Sequence, residues 1–323
     1  MEDRQSGTRS PSSLLHLHRQ QHLLIGYYLS RKKLSKLRFD QFLLLCKRFH
    51  IDTIELTLDY FERSNVRIPQ LIIHKLEDDV TSRSLLDKIR SLPRTSTVIL
   101  DEFDSIARLL NRYEQYSLLD SNKNLYHVPS FILVTNDDNE LTIEKMLIKN
   151  QITFPIMCKP IRAHGDKSHD MKLIFDVEHL NDIDKPCVLQ QFIDHDGVLF
   201  KVFAVGQDNH HIVRRNSIRN LHTHTCRDTI SFRSNEVSSS QAAHMLLSNE
   251  QTVKLTFDHT IVNKIVQVVQ NLFQLNLVGI DIILDRNTGD YAVIDVNYFP
   301  GYEGVNDFNT QLFHLCQHLL HIS

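Results

Sequence analysis

Two short apolar runs near the end of the chain, each interrupted by a single carboxylate, form the clearest pattern in the sequence. Residues 278–284 and 291–296 alternate with a period of two, which predicts β-strands. The residues between them are Asp, Arg, Asn, Thr, Gly and Asp, a composition typical of a turn. The pattern therefore predicts an antiparallel hairpin with its loop at 286–290.

Three oxygen-bearing side chains lie on this predicted hairpin. With the loop at 286–290, Asp281 is directly opposite Asp295, and Asn297 follows on the same face as Asp295. Opposed like charges destabilise a sheet, so these two carboxylates require a cation between them. Two carboxylates and an amide oxygen are ligands that Mg²⁺ accepts while phosphate oxygens supply the rest. Spacing alone leaves a second interpretation open, in which two acids at a solvated strand edge are followed by a loop asparagine.

Strands alternate with helices in the N-terminal third of the chain. The pattern predicts strands at 22–29, 51–58, 71–74 and 97–101, and helices at 35–50 and 79–92. Such alternation is typical of a small doubly wound α/β layer. The sequence contains no GxGxxG and no GxxxxGK[ST], so it supports neither a Rossmann dinucleotide site nor a P-loop. A phosphate-handling protein of this class must hold its nucleotide in another way.

The pattern divides the chain into four parts. Residues 1–21 are polar and rich in Ser, Arg and His, which predicts a disordered tail. We expect an N-terminal α/β domain at 22–120, a central unit at 121–195 and a C-terminal unit at 196–323.

Two further segments of the C-terminal unit have contrasting patterns. Residues 221–249 are polar, rich in Ser and His and without a clear period, so we expect a long flexible loop there. Residues 257–275 keep one apolar face at helical spacing, which predicts a helix with Asp258 as its N-cap.

Composition narrows the class of protein. Of the 323 residues 41% are hydrophobic and 23% charged, as in ordinary globular proteins. A net charge of −3 argues against a generally basic nucleic-acid binder. The five cysteines form no CxxC pair, which indicates reduced thiols in a reducing compartment. No apolar run approaches the roughly 20 residues of a membrane span, and no signal-peptide pattern is present.

The C-terminal hairpin and several upstream segments resemble a known enzyme family. GIDII at 279–283 and AVIDVN-x-FPGYEGV at 292–305 are similar to the metal-binding signature of the inositol 1,3,4-trisphosphate 5/6-kinases, also called inositol-tetrakisphosphate 1-kinases. IIHKL at 72–76 and AHG-x-x-SH at 163–169 match the family in the same order, and the resemblance covers about residues 22–320. It implies an ATP-grasp fold of the α/β (α+β) class. A Rossmann-like N-terminal α/β layer would precede two units that clamp ATP.

The resemblance also implies a role for each matching side chain. The metal ligands would be Asp281, Asp295 and Asn297. The ATP contacts would be Arg108, Lys159, Gln190, Gln191, Ile193, Lys201, Ser217, Ser234 and Ser238. The contacts to an inositol polyphosphate would be Lys33, Lys75, His169, Lys201, Asn297 and Gly301. The residues closest to the chemistry would be Lys201, Arg215 and Asp295.

One position departs from the family pattern. The family places an arginine against the nucleotide phosphates where this chain has Ala107, and Arg108 follows it. A shift of one residue turns a helical side chain by about 100°. Arg108 is therefore the nearest candidate for this contact, and we expect weakened ATP affinity.

The resemblance implies an ATP- and Mg²⁺-dependent kinase for inositol tris- and tetrakisphosphates. It would act on inositol 1,3,4-trisphosphate and on inositol 3,4,5,6-tetrakisphosphate, with two Mg²⁺ ions and ATP as the donor. We expect a monomer in the cytoplasm, with the nucleus as an alternative, and no nucleic-acid or membrane partner. Two other functions stay open: a carboxylate–amine ligase of the ATP-grasp fold, and a non-catalytic binder of inositol phosphate or nucleotide.

Overall fold

Three sheets, each carrying its own helices, make up the protein. The computed structural model describes residues 22–75, 82–121, 125–207, 209–221, 228–238 and 257–322, apart from the side chains of Asn235 and Ser238. The predicted tail at 1–21 lies outside these ranges. None of the helices within them is long and apolar enough to cross a lipid bilayer.

The N-terminal layer is a parallel sheet with the strand order β2-β1-β3-β4. Its elements are β1 (Leu24–Tyr28), α1 (Arg31–Leu37), α2 (Asp40–Arg48), β2 (Asp52–Glu55), α3 (Leu58–Glu62), β3 (Leu71–His74), α4 (Arg83–Arg90) and β4 (Val98–Leu100). The predicted strand at 51–58 is shorter than expected because helix α3 begins at Leu58. The predicted helix at 79–92 spans 83–90 within the described residues. The doubly wound layer itself is confirmed.

The single helix predicted at 35–50 is wrong, because the chain forms two helices there. Arg38 separates α1 from α2 and adopts a left-handed conformation with φ 51° and ψ 47°. Leu37 and Phe39 flank it and are both buried. Side chains two residues apart do not lie on the same face of a helix, so burying both requires a break. Helix α1 also begins early enough to carry Lys33 on its first turn.

The central unit contains a five-stranded sheet with the order β11-β7-β6-β8-β5, in which β11 (Ile230–Arg233) comes from the C-terminal part of the chain. Between β4 and this sheet the chain forms α5 (Phe103–Ala107) and α6 (Arg112–Asp120). The central unit itself contains β5 (Phe131–Val134), α7 (Glu140–Lys149), β6 (Ile156–Pro160), β7 (Asp170–Ile174) and β8 (Cys187–Gln191), with 3₁₀ turns at Asp166–His169 and Val177–Asp182.

The C-terminal sheet is antiparallel with the order β10-β9-β12-β13. Its part of the chain contains β9 (Val198–Val205), β10 (Asn209–Asn216), β11 (Ile230–Arg233), α8 (Ser234–Ser238), α9 (His259–Phe273), β12 (Leu277–Leu284), β13 (Tyr291–Tyr298) and α10 (Phe308–Leu319). Asp258 caps α9 as predicted, since its side chain accepts hydrogen bonds from the N–H groups of Thr260 and Ile261.

The flexible loop predicted at 221–249 is wrong where the structure describes it. Residues 230–233 form β11, which pairs with β7 of the central sheet, and α8 follows directly. Phe232 is buried against Met171, and this contact holds β11 on the central sheet. The rest of the predicted loop, at 222–227 and 239–249, lies outside the described residues. The domain boundaries at 120 and 195 stay a prediction.

A continuous core joins the N-terminal layer to the C-terminal sheet. The rings of Phe42 on α2 and Phe313 on α10 meet with their centroids 6.5 Å apart. The side-chain amide of Asn309 donates to the carbonyl oxygens of Leu37 and Arg38, at 3.0 and 3.2 Å. The last helix therefore packs back on the first layer of the fold.

Asp101 makes a second connection between these two parts, and its loss should destabilise the protein. Its buried carboxylate accepts hydrogen bonds from the backbone N and the Nδ2 of Asn276 and from the backbone N of Leu277, at 2.7, 2.9 and 3.0 Å. Asp101→Ala leaves buried donors without an acceptor, so we expect the free energy of unfolding to fall by about 3 kcal/mol. Urea denaturation measures this change. Asp104→Ala, at an exposed position on α5, should alter it little, and equal losses in both variants would contradict the prediction.

Candidate active site

A cavity of about 360 Å³ lies where the three sheets approach one another. Ten of the residues that the sequence singled out line it: Lys75, Lys159, His169, Lys201, Ser217, Ser234, Asp281, Asp295, Asn297 and Gly301. The cavity wall also contains Lys36, Arg112 and Glu303, which the sequence did not single out. Cationic and anionic side chains from distant parts of the chain thus share one cavity.

The hairpin places Asp281 directly opposite Asp295, as predicted, but its loop length and its strand register differ from the prediction. Leu284 pairs with Tyr291, so the loop is one residue longer than the predicted 286–290. A β-bulge at Ile294 then shifts the register by one residue and brings the two carboxylates opposite each other. On the other side of β12, Asp281 pairs with Lys201 of β9. Lys201, Asp281 and Asp295 therefore lie side by side across three adjacent strands.

Lys201 and Asp281 form a closely packed ion pair. The Lys201 Nζ lies 2.8 and 3.2 Å from the two carboxylate oxygens of Asp281, and both side chains are mostly buried. Burial raises the pKa of Asp281, and the neighbouring Asp295 raises it further, while Lys201 lowers it. Lys201 thus supplies the positive charge that opposed carboxylates require.

Asp281, Asp295 and Asn297 fit a site for a hard cation. The Nδ2 of Asn297 donates to Asp295 at 2.8 Å, which leaves the amide oxygen as a ligand atom. Within the described ranges, no three His, Cys, Asp or Glu side chains converge in a way that could hold a metal ion. An ion here would therefore need further oxygens from a ligand, which suits Mg²⁺ bound with phosphates.

Lys159 lies at the end of β6 and is buried against the C-terminal sheet. Its Nζ donates to the hydroxyl of Tyr116 at 2.9 Å and to the carbonyl oxygen of Ile294 at 3.1 Å. Burial lowers the pKa of Lys159 to about 8, although the charge of Asp295 opposes this shift. A lysine held in this way gains its full charge when anionic groups approach.

Arg112, on the first turn of α6, holds the AHG-x-x-SH segment at 163–169. Its guanidinium donates to the carbonyl oxygens of Pro160, Arg162 and Ser168, at 2.6, 3.2 and 3.0 Å. Arg112 is buried and lines the cavity, whereas Arg108 is exposed and donates to the carbonyl of Leu272 on α9. The structure therefore brings Arg112, and not Arg108, to the site. An N-cap residue such as Asn111 marks the start of a helix but not the direction of the side chain that follows it, so the sequence carried no signal for Arg112.

His169 and Ser234 meet at the wall formed by the central sheet. The Nδ1 of His169 lies 3.1 Å from the hydroxyl oxygen of Ser234. Burial lowers the pKa of His169, and the nearby Arg233 and Arg112 lower it further. His169 is therefore neutral at pH 7 until an anionic ligand approaches.

Ser217 has its hydroxyl directed at a buried histidine. The Nδ1 of His195 donates to the carbonyl of Ile193 at 2.7 Å, so its Nε2 accepts from the Ser217 hydroxyl at 3.0 Å. Burial lowers the pKa of His195, which keeps the ring neutral, so that its Nε2 can accept the hydrogen bond from Ser217.

Three lysines of the N-terminal layer meet the turn at 299–303. The Nζ of Lys33 donates to the carbonyl of Phe299 at 2.5 Å and to that of Pro300, and Lys75 donates to the Phe299 carbonyl at 3.1 Å. Lys33 is buried below the turn, and burial lowers its pKa well below the usual range, with Lys75 and Lys36 adding to the shift. Lys33 thus supports the turn from below, whereas Lys75 lines the cavity.

Lys36 lies directly over Gly301. A Cβ at this position would come within 2.7 Å of the Lys36 Nζ, so glycine is what lets the lysine approach the turn. The same Nζ forms an ion pair with Glu303 at 2.5 Å. Arg215 lies nearby on β10 and donates to the backbone carbonyl of Glu303 at 3.1 Å.

The proposed adenine contacts flank the cavity without lining it. Gln190 is buried in β8, and the side-chain amide of Gln191 bonds to the backbone of Thr153 on both sides. Ile193 is half-buried next to them. The apolar part of the cavity wall is instead formed by Met157, Met171, Leu199, Ile218, Phe232 and Ile294. The side chain of Ser238 lies outside the described residues.

Comparisons with known proteins agree on both fold and family. The inositol 1,3,4-trisphosphate 5/6-kinase ATP-grasp domain matches residues 119–319. An inositol-tetrakisphosphate 1-kinase of Danio rerio is 40% identical over 304 residues, which cover 88% of this chain and 76% of that protein. The corresponding enzyme of Xenopus laevis is 35% identical, with coverage of 89% and 76%. An inositol-tetrakisphosphate 1-kinase 1 of Arabidopsis thaliana is 28% identical, with coverage of 88% and 91%.

Solved structures of more distantly related enzymes are similar to this chain in fold. The N5-carboxyaminoimidazole ribonucleotide synthetase of Thermotoga maritima superposes with a TM-score of 0.56 at 14% identity, over 93% of this chain and 76% of that one. A peptide-modifying ATP-grasp ligase of Chryseobacterium gregarium, solved with ADP, gives 0.57 at 11% identity, with coverage of 93% and 97%. At such low identity these similarities show the ATP-grasp fold alone.

Proposed function

This chain belongs to the inositol 1,3,4-trisphosphate 5/6-kinase family of ATP-grasp enzymes, and we propose that its cavity transfers the γ-phosphoryl group of ATP to a ring hydroxyl of a soluble inositol polyphosphate. The observation that carries this proposal is the row of Lys201, Asp281 and Asp295 across three strands, facing a cavity that also contains Lys75 and Lys159. Phosphoryl transfer depends mainly on positioning and charge neutralisation, and these side chains are suited to both.

Asp281, Asp295 and Asn297 would hold Mg²⁺, which when bound neutralises the oxygens of the β- and γ-phosphates. We propose a pair of ions at this site, held by the opposed carboxylates of Asp281 and Asp295 and by the amide oxygen of Asn297. Lys159 lies on the side of β13 away from β12 and would bind the nucleotide phosphates. Lys201, which pairs with Asp281, would supply positive charge to the transferred phosphoryl group.

The inositol polyphosphate would bind on the side of the cavity formed by the N-terminal layer. Lys75, Lys36 and the backbone of Gly301 line this side, and His169 faces it from the central sheet. Lys33 would act by holding the turn at 299–303, and Arg215 by holding Glu303. The apolar wall around Met157 and Phe232 is suited to an adenine ring, with the backbone of Gln190–Ile193 as its edge contact and Ser217, Ser234 and Ser238 around the nucleotide.

Inositol 1,3,4-trisphosphate and inositol 3,4,5,6-tetrakisphosphate are the acceptors we propose. The experiment is to incubate the protein with Mg-ATP and a panel of inositol tris- and tetrakisphosphates and to resolve the products by anion-exchange chromatography. A more phosphorylated isomer that forms only with ATP supports the kinase. Absence of product from every member of the panel, with ATP still bound, would overturn it.

The ligase and the non-catalytic binder are not favoured. The relatives that cover most of the chain at 28–40% identity are kinases by name, whereas the ligases share only the fold. The carboxylate pair and its lysine are intact, which a binder without catalysis would not require. The four cysteines that the structure describes are free and buried, in keeping with a reducing compartment. A cytoplasmic monomer stays our proposal.

ATP binding should be linked to proton uptake by Lys159. Its pKa of about 8 in the free protein means that about half of the lysine is neutral at pH 8. Phosphate oxygens raise this pKa, so we expect an uptake approaching about half a proton per ATP bound at pH 8. Calorimetric titrations in buffers of different ionisation enthalpy measure it. Lys159→Met should bind ATP more weakly and without this uptake, and a binding enthalpy independent of buffer in the unmutated protein would contradict the prediction.

A further inference from the structure

We propose that Gln115 and Tyr116, adjacent residues on α6, are positioning residues for phosphoryl transfer. They hold the backbone on both sides of Asp295 and thereby set this carboxylate relative to Lys159. The inference rests on the proposed function of the cavity and adds to it two residues that touch neither metal nor substrate.

The argument begins at the edge of the C-terminal sheet. Strand β13 is the last strand in the order β10-β9-β12-β13, so one of its sides has no neighbouring strand. An edge strand presents backbone N–H and C=O groups that require partners when they are buried. His127 supplies such partners at the start of β13, through its backbone bonds to Tyr291 and Val293. Beyond this point α6 covers the edge.

At Val296, the side chain of Gln115 makes the backbone hydrogen bonds that a neighbouring strand would otherwise make. Its Nε2 donates to the Val296 carbonyl at 2.9 Å, and its Oε1 accepts from the Val296 N–H at 3.2 Å. Both backbone groups of this residue are thus satisfied by one side chain. Gln115 is fully buried, so few other conformations are open to it. Val296 directly follows Asp295.

Tyr116 acts in the same way on the other side of Asp295. Its hydroxyl donates to the carbonyl of Ile294 at 3.0 Å, and the same hydroxyl accepts from the Nζ of Lys159 at 2.9 Å. Ile294 is the bulge residue that brings Asp295 opposite Asp281. One fully buried hydroxyl therefore fixes both the bulge and the lysine.

A purely structural role would not require this placement. Tyr126 shows such a role, since its buried hydroxyl donates to the carbonyl of Leu119 at 3.2 Å and does not line the cavity. The bonds of Gln115 and Tyr116 instead end on the residues immediately before and after a proposed metal ligand. Partners that orient metal ligands typically change metal affinity or activity by about 10- to 100-fold when they are lost.

The test compares Gln115→Met and Tyr116→Phe with Tyr126→Phe, which loses a buried hydroxyl of the same kind. The measurements are the Mg²⁺ concentration for half-maximal rate, the KM for ATP, kcat, the melting temperature, and the Mg-ATP affinity by calorimetry. We expect Gln115→Met to raise the Mg²⁺ requirement about tenfold. Tyr116→Phe should raise the KM for ATP by a similar factor, because Lys159 loses an acceptor that orients it. Tyr126→Phe should change only the melting temperature.

Equal losses of melting temperature in all three variants, with the Mg²⁺ requirement, the KM and the Mg-ATP affinity unchanged, would overturn the inference. Tyr116→Phe retains the ring and its packing, so the test stands even if Gln115→Met does not fold. A failure of the proposed function looks different, because the unmutated protein would then form no product. The calorimetric affinity would still decide whether the two residues position the Mg-ATP site.

Discussion

Asp295→Asn should abolish phosphoryl transfer, with kcat reduced by about a thousandfold or more. The substitution retains the volume of the side chain but removes the charge with which this residue would bind Mg²⁺. It also removes one of the two opposed carboxylates, and the charge of Asp295 contributes to the raised pKa of Asp281. The metal-free variant should therefore melt at the same temperature as the unmutated protein or higher. Loss of activity together with retained stability is the expected result.

The control for this variant is Asp290→Asn, which removes an exposed carboxylate from the loop of the same hairpin. It should leave both kcat and the Mg²⁺ requirement unchanged. Product formation and thermal melting with and without Mg²⁺ measure the two effects. A variant at position 295 that retains more than about a tenth of the activity would rule out Asp295 as an essential Mg²⁺ ligand.

Lys201→Met should lower kcat/KM by about a hundredfold or more, since it removes a cation from the site of transfer. Its effect on the metal-free protein should be opposite to that of Asp295→Asn. Asp281 loses its ion-pair partner at 2.8 Å and remains mostly buried. Breaking a buried pair by removing one partner costs about 3 kcal/mol or more. Mg²⁺ should restore much of this stability, because it supplies the missing positive charge.

Lys172→Met provides the matched control for this second variant. Lys172 also lies on a strand and pairs with a carboxylate at 2.8 Å, but its partner Asp184 is exposed and neither residue lines the cavity. Exposed pairs contribute little to stability, so this variant should behave like the unmutated protein. If the melting temperature of the Lys201→Met protein did not depend on Mg²⁺, this would contradict the prediction that Mg²⁺ can supply the positive charge that Lys201 otherwise provides to Asp281.

The sequence predicted the carboxylate pair because strand periodicity is local and countable. It could not predict the bulge at Ile294, since a bulge in the middle of an apolar strand has no residue signature of its own. The predicted loop was one residue too short, and the bulge compensated for that error. The pairing of Asp281 with Lys201 also depends on which strands become neighbours, and this is decided by the tertiary fold.

Side-chain direction was the part of the site that sequence reasoning predicted least well. Arg108 caps the C-terminus of α5 and Arg112 begins α6, and of the two only Arg112 lines the cavity. Lys33 and Lys36 are both on α1, yet Lys33 is buried under the turn and Lys36 lies over Gly301. About one helical turn separates Lys33 from Lys36, whereas the end of α5 and the start of α6 separate Arg108 from Arg112. The helix break at Arg38, which repositions the segment, was not visible in the apolar pattern.

The two edges of the C-terminal sheet have a consequence for self-association. An exposed edge strand offers its backbone to a strand of another molecule and so promotes aggregation. At β13, side chains of α6 already occupy the backbone groups around Asp295, so an incoming strand would have to displace them. At the opposite edge, β10 carries two histidines and two arginines within eight residues, and charged side chains discourage pairing there. The helix that covers the edge at β13 thus also protects the folded chain against edge-to-edge polymerisation.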